Sequence, residues 1–427
     1  PTQAPLTRKE AETAARDAAS TPEAVDAKSV TADSTAKVGV LAAPALDTVP
    51  PEPQLGQCLT DQADDAFGHI LNRFAYCQQQ TIIFEYILRI PRFPDYKFGE
   101  TELRYELFAQ GDERDRRIRV FGRVQADSVQ YRWRTVLENL FVAPNVPLTL
   151  IGECVETFLT CQATRGPVTL PFATWNGNST AWYYWDVLSP SAGTGRDVVA
   201  YARWYLDLES RYGNATGDFE TDPRQIRCDS ATYFVRGTAQ YPKACIFNEV
   251  IPHLTYPTEG PDAADVRAVA LHIEQAQTAP NSTYPLLVPP GIPAPRDKRI
   301  PGRFVSDDAN APGLHRIRSG VDPEYVANGE HKDAACYGTG PVADQYLGLG
   351  LPTPPDTTTE ECDEYPFATT LEGAAHPEWD FSVRAVPDFQ NSAAGGRLGT
   401  YLTDDRILSW DRDVPLDDND RFYVEIK

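Results

Sequence analysis

Eight cysteines, arranged along the chain in four close couples, constrain the fold of this protein more than any other feature of its sequence. The couples are Cys58 with Cys77, Cys154 with Cys161, Cys228 with Cys245, and Cys336 with Cys362. We predict one disulfide within each couple, each closing a loop of roughly 8 to 27 residues and stabilising the fold by about 2–4 kcal/mol. A zinc site is the alternative, but the sequence has no Cys-x-x-Cys and no histidine cluster beside any couple.

Several features indicate an oxidising, extracellular compartment. An even number of cysteines is typical of secreted, disulfide-bonded proteins, and Asn-x-Ser/Thr sequons occur at Asn178, Asn214 and Asn281. The chain begins at Pro1 and contains no methionine, as expected of a mature secreted form. No apolar run reaches the roughly 18 residues that a membrane-spanning helix needs. We therefore expect a secreted protein with no membrane segment.

The net charge of −22 limits how the chain can bind a polyanion. A protein of this charge does not attract nucleic acid through its overall field. Binding would need metal ions or a local basic surface; otherwise the charge serves solubility alone. The one locally basic stretch, between Arg296 and Arg318, has six Lys/Arg against three Asp and contains His315 and Arg316.

The first 255 residues predict a tail followed by a β-rich domain. Residues 1–55 are rich in Ala, Thr, Asp and Pro, which favours a flexible tail or pro-segment, although Arg8–Ala19 could form a capped helix. Residues 56–255 contain many short, alternating apolar segments between turn residues, which favours a disulfide-bonded, sandwich-like β domain. The predicted strands are Thr81–Ile90, Arg116–Val124, Val129–Arg134, Val146–Ile151, Ala181–Val187, Ala200–Leu206 and Thr232–Val235.

Two groups of side chains in this domain each have two interpretations. The aromatic residues at Trp175 and Trp182–Trp185 most simply fill the core and pack across strands. Alternatively, they form a stacking face for a polysaccharide or the cell wall. The arginines of Arg116–Arg134 most simply face solvent, and alternatively contact phosphate.

The last 170 residues predict a connector and a small α+β domain. Residues 256–300 contain an amphipathic helix, Asp262–Gln277, and a proline-rich connector. Residues 301–427 contain two predicted strands, Asp380–Val386 and Asp420–Ile426, and a closely packed helix rich in small residues, Asn391–Leu402.

Common catalytic motifs are absent, which leaves one polar group near the C-terminus. The sequence has no Gly-x-Ser-x-Gly, no P-loop and no His-Glu-x-x-His, and its six histidines are scattered and predicted to be mostly surface or capping residues. The remaining group consists of Asp363-Glu364-Tyr365-Pro366 after Cys362, then Glu372-Gly373, then Asn391 with Ala394-Gly395 and Gly399. Adjacent acids either face water or cap a helix, or they bind a cation that neutralises them.

This order of motifs resembles the NucA/NucB type of secreted deoxyribonuclease. That family is marked by Asp-Glu-Trp/Tyr-Pro, a Glu-Gly turn, a strand, and Asn-x-x-Ala-Gly-x-x-x-Gly at the start of a helix. The resemblance covers the region from Cys362 onward, and it extends upstream if Leu314–Arg316 and Cys336 belong to the same domain. The β-rich half is similar to the N-terminal part of large extracellular actinobacterial proteins that end in this domain.

The resemblance implies a compact ββα-metal fold with one divalent ion, Mg²⁺ or Mn²⁺, at the scissile phosphate. Carried over, Asp363 is the general base, Glu364 binds or orients around the metal, and Asn391 supplies a neutral oxygen ligand; the roles of the two acids could be exchanged. Glu372 is a further candidate for the metal site. The candidate DNA-contacting residues are Arg384, Arg397, His315 and Arg316.

Two departures from the family pattern bear on the site. Tyr401, a poor metal ligand, stands where other members carry a polar or acidic residue on the helix, so Glu372 or Asp404 would have to substitute. Residues 331–427 contain 19 Asp/Glu against seven Lys/Arg, so Arg384, Arg397, Arg406 and the basic stretch would have to line a DNA groove.

The sequence therefore supports two functional hypotheses. The first is a secreted, metal-dependent, nonspecific endonuclease acting on DNA. The second is a non-catalytic extracellular binding or structural protein, with a degenerate nuclease-like domain and a β-rich half that contacts polysaccharide or a cell surface.

Overall fold

The computed structural model describes residues 46, 48–88, 96–155, 161–178, 181–190, 193–213 and 215–427. The chain divides into two compact units, Pro1–Val250 and Ile251–Lys427. The helix predicted at Arg8–Ala19 lies outside the described residues. No helix in the described part of the chain is both long and apolar enough to span a membrane.

The first unit is built from two antiparallel sheets. One sheet has the order β1-β2-β3-β4-β9-β7, with β5 also pairing with β3. Its strands are β1 His69–Asn72, β2 Ala75–Leu88, β3 Tyr96–Gly111, β4 Arg117–Val124, β5 Gln130–Trp133, β7 Gln162–Thr164 and β9 Tyr183–Leu188. The other has the order β15-β12-β10-β6-β8, with β11 pairing with β10. Its strands are β6 Pro147–Cys154, β8 Val168–Pro171, β10 Ala200–Tyr212, β11 Ala215–Glu220, β12 Arg224–Asp229 and β15 Ala244–Phe247.

Smaller elements complete this unit. A ribbon is formed by β13 Val235–Arg236 and β14 Ala239–Gln240, and the two helices are α1 Glu52–Cys58 and α2 Phe172–Gly177. Leu55 and Cys58 of α1 pack with Phe108 and Phe121 of the first sheet. The predicted tail, residues 1–55, therefore ends inside a packed helix rather than before one.

Side-chain alternation along the strands builds one apolar core shared by both sheets. In β10, the residues from Ala200 to Leu208 alternate between buried and half-buried, so every second side chain points inward. Trp175, Trp185 and Trp204 are all buried in this core. The core interpretation of Trp175 and Trp185 is confirmed, and these two rings give no support to a sugar-binding face.

The arginines of the β4 region are engaged by acids of the same unit. Salt bridges of 2.6 Å join Arg117 to Asp112, Arg119 to Asp186, and Arg123 to Glu106. Arg119 and Arg165 each also lie over the Tyr184 ring, at 4.1 and 3.8 Å from its centroid. Because these guanidinium groups are paired with acids, they neither simply face solvent nor form an open surface for phosphate.

All four predicted disulfides are present, with Cα–Cα distances of 4.1 to 6.2 Å. Three lie in the first unit, and Cys336–Cys362 lies in the second. The spacing of the cysteines was enough to predict the pairing.

The second unit contains three α-helices and two small sheets. The helices are α3 Arg267–Thr278, α4 Pro323–Tyr337 and α5 Asp388–Asp404. The strands are β16 His253–Tyr256, β17 Glu360–Tyr365, β18 Ser382–Pro387 and β19 Tyr423–Ile426. β16 pairs in parallel with β19, and β17 pairs antiparallel with β18, so that Asp363 lies opposite Arg384.

Two apolar clusters fix the helices on opposite faces of the β17–β18 hairpin. The larger cluster joins Ile273 of α3, Leu398 of α5 and Tyr365 of β17. The smaller joins Cys336 of α4 to Cys362 and Val383 of the hairpin. The helix predicted within the connector is therefore a core element of the second unit, because α3 buries the stripe Val269, Ile273 and Ala276.

Candidate active site

The β17–β18 hairpin presents its two adjacent acids to opposite faces. Cys362 and Glu364 face α4, as the Cys336–Cys362 disulfide requires, whereas Asp363 and Tyr365 face α3 and α5. Among the described residues, β17 pairs only with β18, so no further strand covers its other edge. Side chains from both faces can therefore converge at this edge.

Asp363 is buried and held by a histidine of α3. Its Oδ2 lies 2.5 Å from Nδ1 of His272, and Nε2 of the same ring lies 2.7 Å from Oγ of Ser382. His272 is 1 % exposed, Ser382 is 0 % exposed and Asp363 is 5 % exposed. A continuous hydrogen-bonded chain thus runs from β18 through α3 to the carboxylate of Asp363.

Glu364 is half-buried and has an altered acidity. Its Oε1 accepts a hydrogen bond of 3.1 Å from the backbone N–H of Ala368. Burial, with a smaller contribution from the charge of Asp363, raises the pKa of the Glu364 carboxyl to about 7, while the Lys332 ammonium opposes that rise. A cation bound beside the two acids would favour the charged form of Glu364 and so oppose the rise in its pKa.

Asn391 lies near the start of α5, which begins three residues before the predicted helix. Its Nδ2 donates a hydrogen bond of 2.8 Å to Oε2 of Glu361. Since the amide nitrogen is held in this way, the orientation of the amide oxygen Oδ1 is defined as well.

One pocket of about 270 Å³ brings Asp363, Glu364 and Asn391 together. One wall is α5, whose Gly395 and Gly399 leave the helix backbone open, since a Cβ at either position would meet nothing within 4 Å. The remaining lining is largely apolar and aromatic and comes from Tyr256, Val269, Tyr325, Phe367, Ala368, Thr369, Ala394, Leu398 and Leu402. The close packing predicted for the small residues of this helix does not apply to these two glycines.

The donor set of this pocket fits a hard divalent cation. Two carboxylates and one amide supply only oxygen atoms, which Mg²⁺ and Mn²⁺ prefer. Among the described residues there is no group of three or more His, Cys, Asp or Glu placed to hold a metal ion. A cation here would therefore depend on the amide of Asn391 as well as on the two acids.

Glu372 is engaged elsewhere. Both of its carboxylate oxygens bind His315: Oε2 accepts from the backbone N–H at 2.8 Å, and Oε1 lies 2.7 Å from Nδ1 of the ring. Both residues are buried, and neither lines the pocket. The structure thus brings neither Glu372 nor His315 into the pocket that contains Asp363 and Asn391.

The candidate DNA-contacting arginines make hydrogen bonds within the unit. Arg384 donates to Oε1 of Gln275, and Arg397 donates to the carbonyl of Asp262 at 2.7 Å. Arg316 donates to the carbonyls of Leu402 and Ile407 near the end of α5. These contacts tie elements together and leave fewer cations for phosphate than the sequence interpretation requires.

Tyr401 belongs to the core rather than to the site. It is 9 % exposed, and its ring packs against Phe422 with centroids 5.7 Å apart. Leu402 lines the pocket at this end of α5 instead. The departure from the family pattern at Tyr401 is therefore accommodated by apolar packing.

The sequence interpretation was wrong about the histidines. Four of the six are buried, namely His69, His253, His272 and His315. His272 could have been found from the amphipathic pattern of α3, because it lies on the same stripe as the buried Val269, Ile273 and Ala276. A histidine on an apolar stripe needs hydrogen-bond partners inside the fold.

Comparison with known proteins gave one match, and it covers the part of the chain that contains this site. No curated protein and no solved structure matches the chain. One family model matches within the second unit, from the start of α4 to just beyond α5, and the match contains Asp363, Glu364 and Asn391 but not α3. Residues 323–409 are thus a domain of the family described as Deoxyribonuclease NucA/NucB.

Proposed function

We propose that the second unit is a metal-dependent endonuclease that hydrolyses phosphodiester bonds of DNA without sequence specificity. One observation carries the proposal: Asp363, Glu364 and Asn391 line a single pocket within the stretch that matches a deoxyribonuclease family. The antiparallel strand pair β17–β18 followed directly by α5 has the strand–strand–helix order expected of a ββα-metal site.

In this proposal, Asp363 and Asn391 hold Mg²⁺ or Mn²⁺ with Glu364 beside them. When bound, the cation polarises the scissile phosphate and stabilises the charge that develops on the leaving oxygen. The pocket residues orient the phosphate group, and its apolar lining limits the access of bulk water.

The geometry favours Glu364 over Asp363 as the residue that accepts the proton of the attacking water. One oxygen of Asp363 is committed to His272, and the side chain is almost fully buried. Glu364 is more exposed, and its described hydrogen bond is to the backbone N–H of Ala368 through Oε1, so its carboxylate can take a proton from a water in the pocket. This assignment exchanges the roles first considered for the two acids.

The open face of α5 suits close approach of a nucleic acid strand. Gly395 and Gly399 lie one turn and two turns beyond Asn391 on the pocket side. Since neither carries a side chain, a sugar–phosphate backbone can reach the helix next to the proposed metal ligands.

Plasmid cleavage tests the proposal. Wild-type protein should degrade DNA with Mg²⁺ or Mn²⁺ and stop on addition of EDTA. Asp363→Asn and Glu364→Gln should each lower the rate by roughly 100-fold or more, whereas Glu378→Gln, which changes an exposed acid away from the pocket, should not.

Two outcomes would contradict it. Cleavage that survives replacement of both Asp363 and Glu364 would place the chemistry elsewhere in the molecule. No cleavage by the wild type with either metal would favour the non-catalytic alternative, a nuclease-like domain kept as a binding or structural part.

We further propose that the protein acts outside the cell. Four disulfides in the described part of the chain persist only in an oxidising compartment. Export is tested by locating the protein in culture supernatant; retention in a reducing cytoplasm with eight free thiols would contradict it.

A further inference from the structure

A histidine outside the family match makes direct contact with the site. His272 belongs to α3, Arg267–Thr278, whereas the match begins at residue 323. Its Nδ1 nevertheless lies 2.5 Å from Oδ2 of Asp363.

Both ring nitrogens of His272 have hydrogen-bond partners within the second unit. Because an ionised carboxylate can only accept, Nδ1 donates to Oδ2 of Asp363, while the Ser382 hydroxyl, 2.7 Å from Nε2, can either donate or accept. Ser382 comes from β18, the strand paired with β17, so the same hairpin carries both ends of the chain of hydrogen bonds.

Burial excludes a direct role for the ring in the reaction. His272 is 1 % exposed and does not line the pocket. With both nitrogens bonded inside the fold, it has no atom left to contact substrate or an attacking water. Its effect on the site must therefore pass through Asp363.

We infer that His272 and Ser382 are positioning residues that fix the carboxylate of Asp363 for cation binding. With Oδ2 held toward α3, rotation of the carboxylate is blocked, and the other oxygen, Oδ1, is presented in one orientation. The inference rests on the proposed function, because it assigns these two residues to the metal site of the nuclease. Hydrogen-bond partners of this kind typically change metal affinity by about 10- to 100-fold when removed.

A purely structural role makes a different prediction. If the chain of hydrogen bonds serves only to join α3 to the hairpin, its loss should lower stability and leave metal affinity alone. The protein offers a matched control. The hydrogen bond from Arg384 of β18 to Gln275 of α3 joins the same two elements and does not include Asp363.

The experiment measures Mn²⁺ affinity of the full chain by calorimetry, with thermal unfolding recorded alongside. His272→Leu keeps the bulk of the ring but removes both polar atoms, and Ser382→Ala removes the partner of Nε2. Both should weaken Mn²⁺ binding, His272→Leu by about 10- to 100-fold. His272→Asn, whose amide can still donate near the position of Nδ1, should recover most of the affinity, as should Ser382→Thr. Gln275→Ala should lower stability and leave Mn²⁺ affinity unchanged.

The outcomes separate this inference from the proposed function. If the wild type does not bind Mn²⁺, both the metal-dependent nuclease and the positioning role are overturned. If the wild type binds Mn²⁺ and both His272→Leu and Ser382→Ala bind it equally well, with unfolding lowered as in Gln275→Ala, the positioning role alone is overturned. If His272→Leu does not fold, Ser382→Ala decides the result.

Discussion

At the scale of single residues, the two acids of β17 differ in environment although they are neighbours in sequence. Asp363 is anchored by His272 on the face of α3, and Glu364 faces α4 in a half-buried position where its pKa rises to about 7. The two side chains have different surroundings because successive side chains of a β-strand point to opposite faces. In the proposed nuclease, these environments suit the two acids to different roles.

The raised pKa of Glu364 predicts a specific dependence of stability on pH. Because its folded-state pKa lies above that of the unfolded chain, the folded state gains stability that is fully present below about pH 4.5 and is lost as the pH rises through 7. Glu364→Gln removes this dependence. Between pH 4.5 and pH 8 the wild type should therefore lose about 2–3 kcal/mol relative to the variant, measured by denaturant unfolding of metal-free protein.

Added Mn²⁺ supplies the control for this prediction. A cation bound between the acids stabilises the charged form of Glu364, so it should restore wild-type stability at pH 8 and have less effect on Glu364→Gln. A difference between the two proteins that does not vary with pH would contradict the assigned pKa.

Part of the candidate site could be predicted from the sequence, and there is a physical reason why the rest could not. Asp363, Glu364 and Asn391 carry a local pattern that a single sequence displays. His272 lies 91 residues before Asp363, and only the packing of α3 onto the hairpin brings the two together. Glu372 shows the reverse case. The local sequence pattern predicted it at the site, but in the folded chain its carboxylate binds His315 instead.

At the scale of elements, α5 combines weak helix formers with one wall of the candidate site. Gly395, Gly396 and Gly399 all lie inside the helix, where glycine lowers helix stability by about 1 kcal/mol relative to alanine. Protein packing does not require them, because a Cβ at any of the three would meet nothing within 4 Å. Only Gly395 and Gly399 line the pocket, so Gly396 can serve as a control for the effect of glycine on helix stability alone.

Alanine substitution of these glycines should therefore separate stability from activity. Gly395→Ala and Gly399→Ala should each raise the free energy of unfolding by about 0.5–1 kcal/mol and lower kcat/KM for DNA by roughly tenfold, because a methyl group displaces the strand from the metal ligands. Gly396→Ala should give the same stabilisation with unchanged activity. Equal activity in all three variants would show that the substrate does not approach this face of α5.

The Cys336–Cys362 disulfide is the covalent link between α4 and the strand that carries both acids. Its 26-residue separation predicts a loss of about 3 kcal/mol when both cysteines are replaced by alanine. Because Cys362 directly precedes Asp363, DNA cleavage should fall in parallel. The matched control is the double alanine variant of Cys154 and Cys161, which are separated by seven residues in the first unit.

That control should lose less stability, about 2 kcal/mol, and keep its nuclease activity. Equal loss of cleavage in both variants, measured at a temperature where each is folded, would indicate a general effect of disulfide removal. It would then not reflect the position of Cys362.

Strands and helices with a regular spacing of apolar residues could be predicted from the sequence. Which apolar core each of them joins could not. β4, β10 and α5 overlap the predicted segments because alternation and helical spacing are local properties. The α3 segment was predicted as a helix, but its place in the core of the second unit depends on α5 and β16, which contribute Leu398 and Leu254 to the same cluster. A boundary between units is therefore set by contacts that no local pattern displays.

At the scale of the whole molecule, charge restricts how DNA is bound. The second unit carries 29 acidic against 14 basic residues, a formal charge of −15. Arg384, Arg397 and Arg316 donate hydrogen bonds within the unit. An excess of 15 negative charges disfavours neutralisation of many phosphates by this unit. In the proposed nuclease, we therefore expect the divalent cation and the open face of α5 to contribute most of the attraction for the DNA strand.

This balance predicts a weak dependence of cleavage on monovalent salt. Each neutralised phosphate contributes a slope of about −0.9 to a plot of log affinity against log salt concentration, because condensed counterions are released. A unit with one or two such contacts should give a slope of about −1 to −2 for kcat/KM between 50 and 300 mM NaCl at fixed, saturating Mg²⁺. Arg397→Gln should leave this slope nearly unchanged, since Arg397 is bonded to the carbonyl of Asp262. A slope steeper than about −5 would require a basic surface that the second unit does not supply, and would assign DNA binding to a surface outside it.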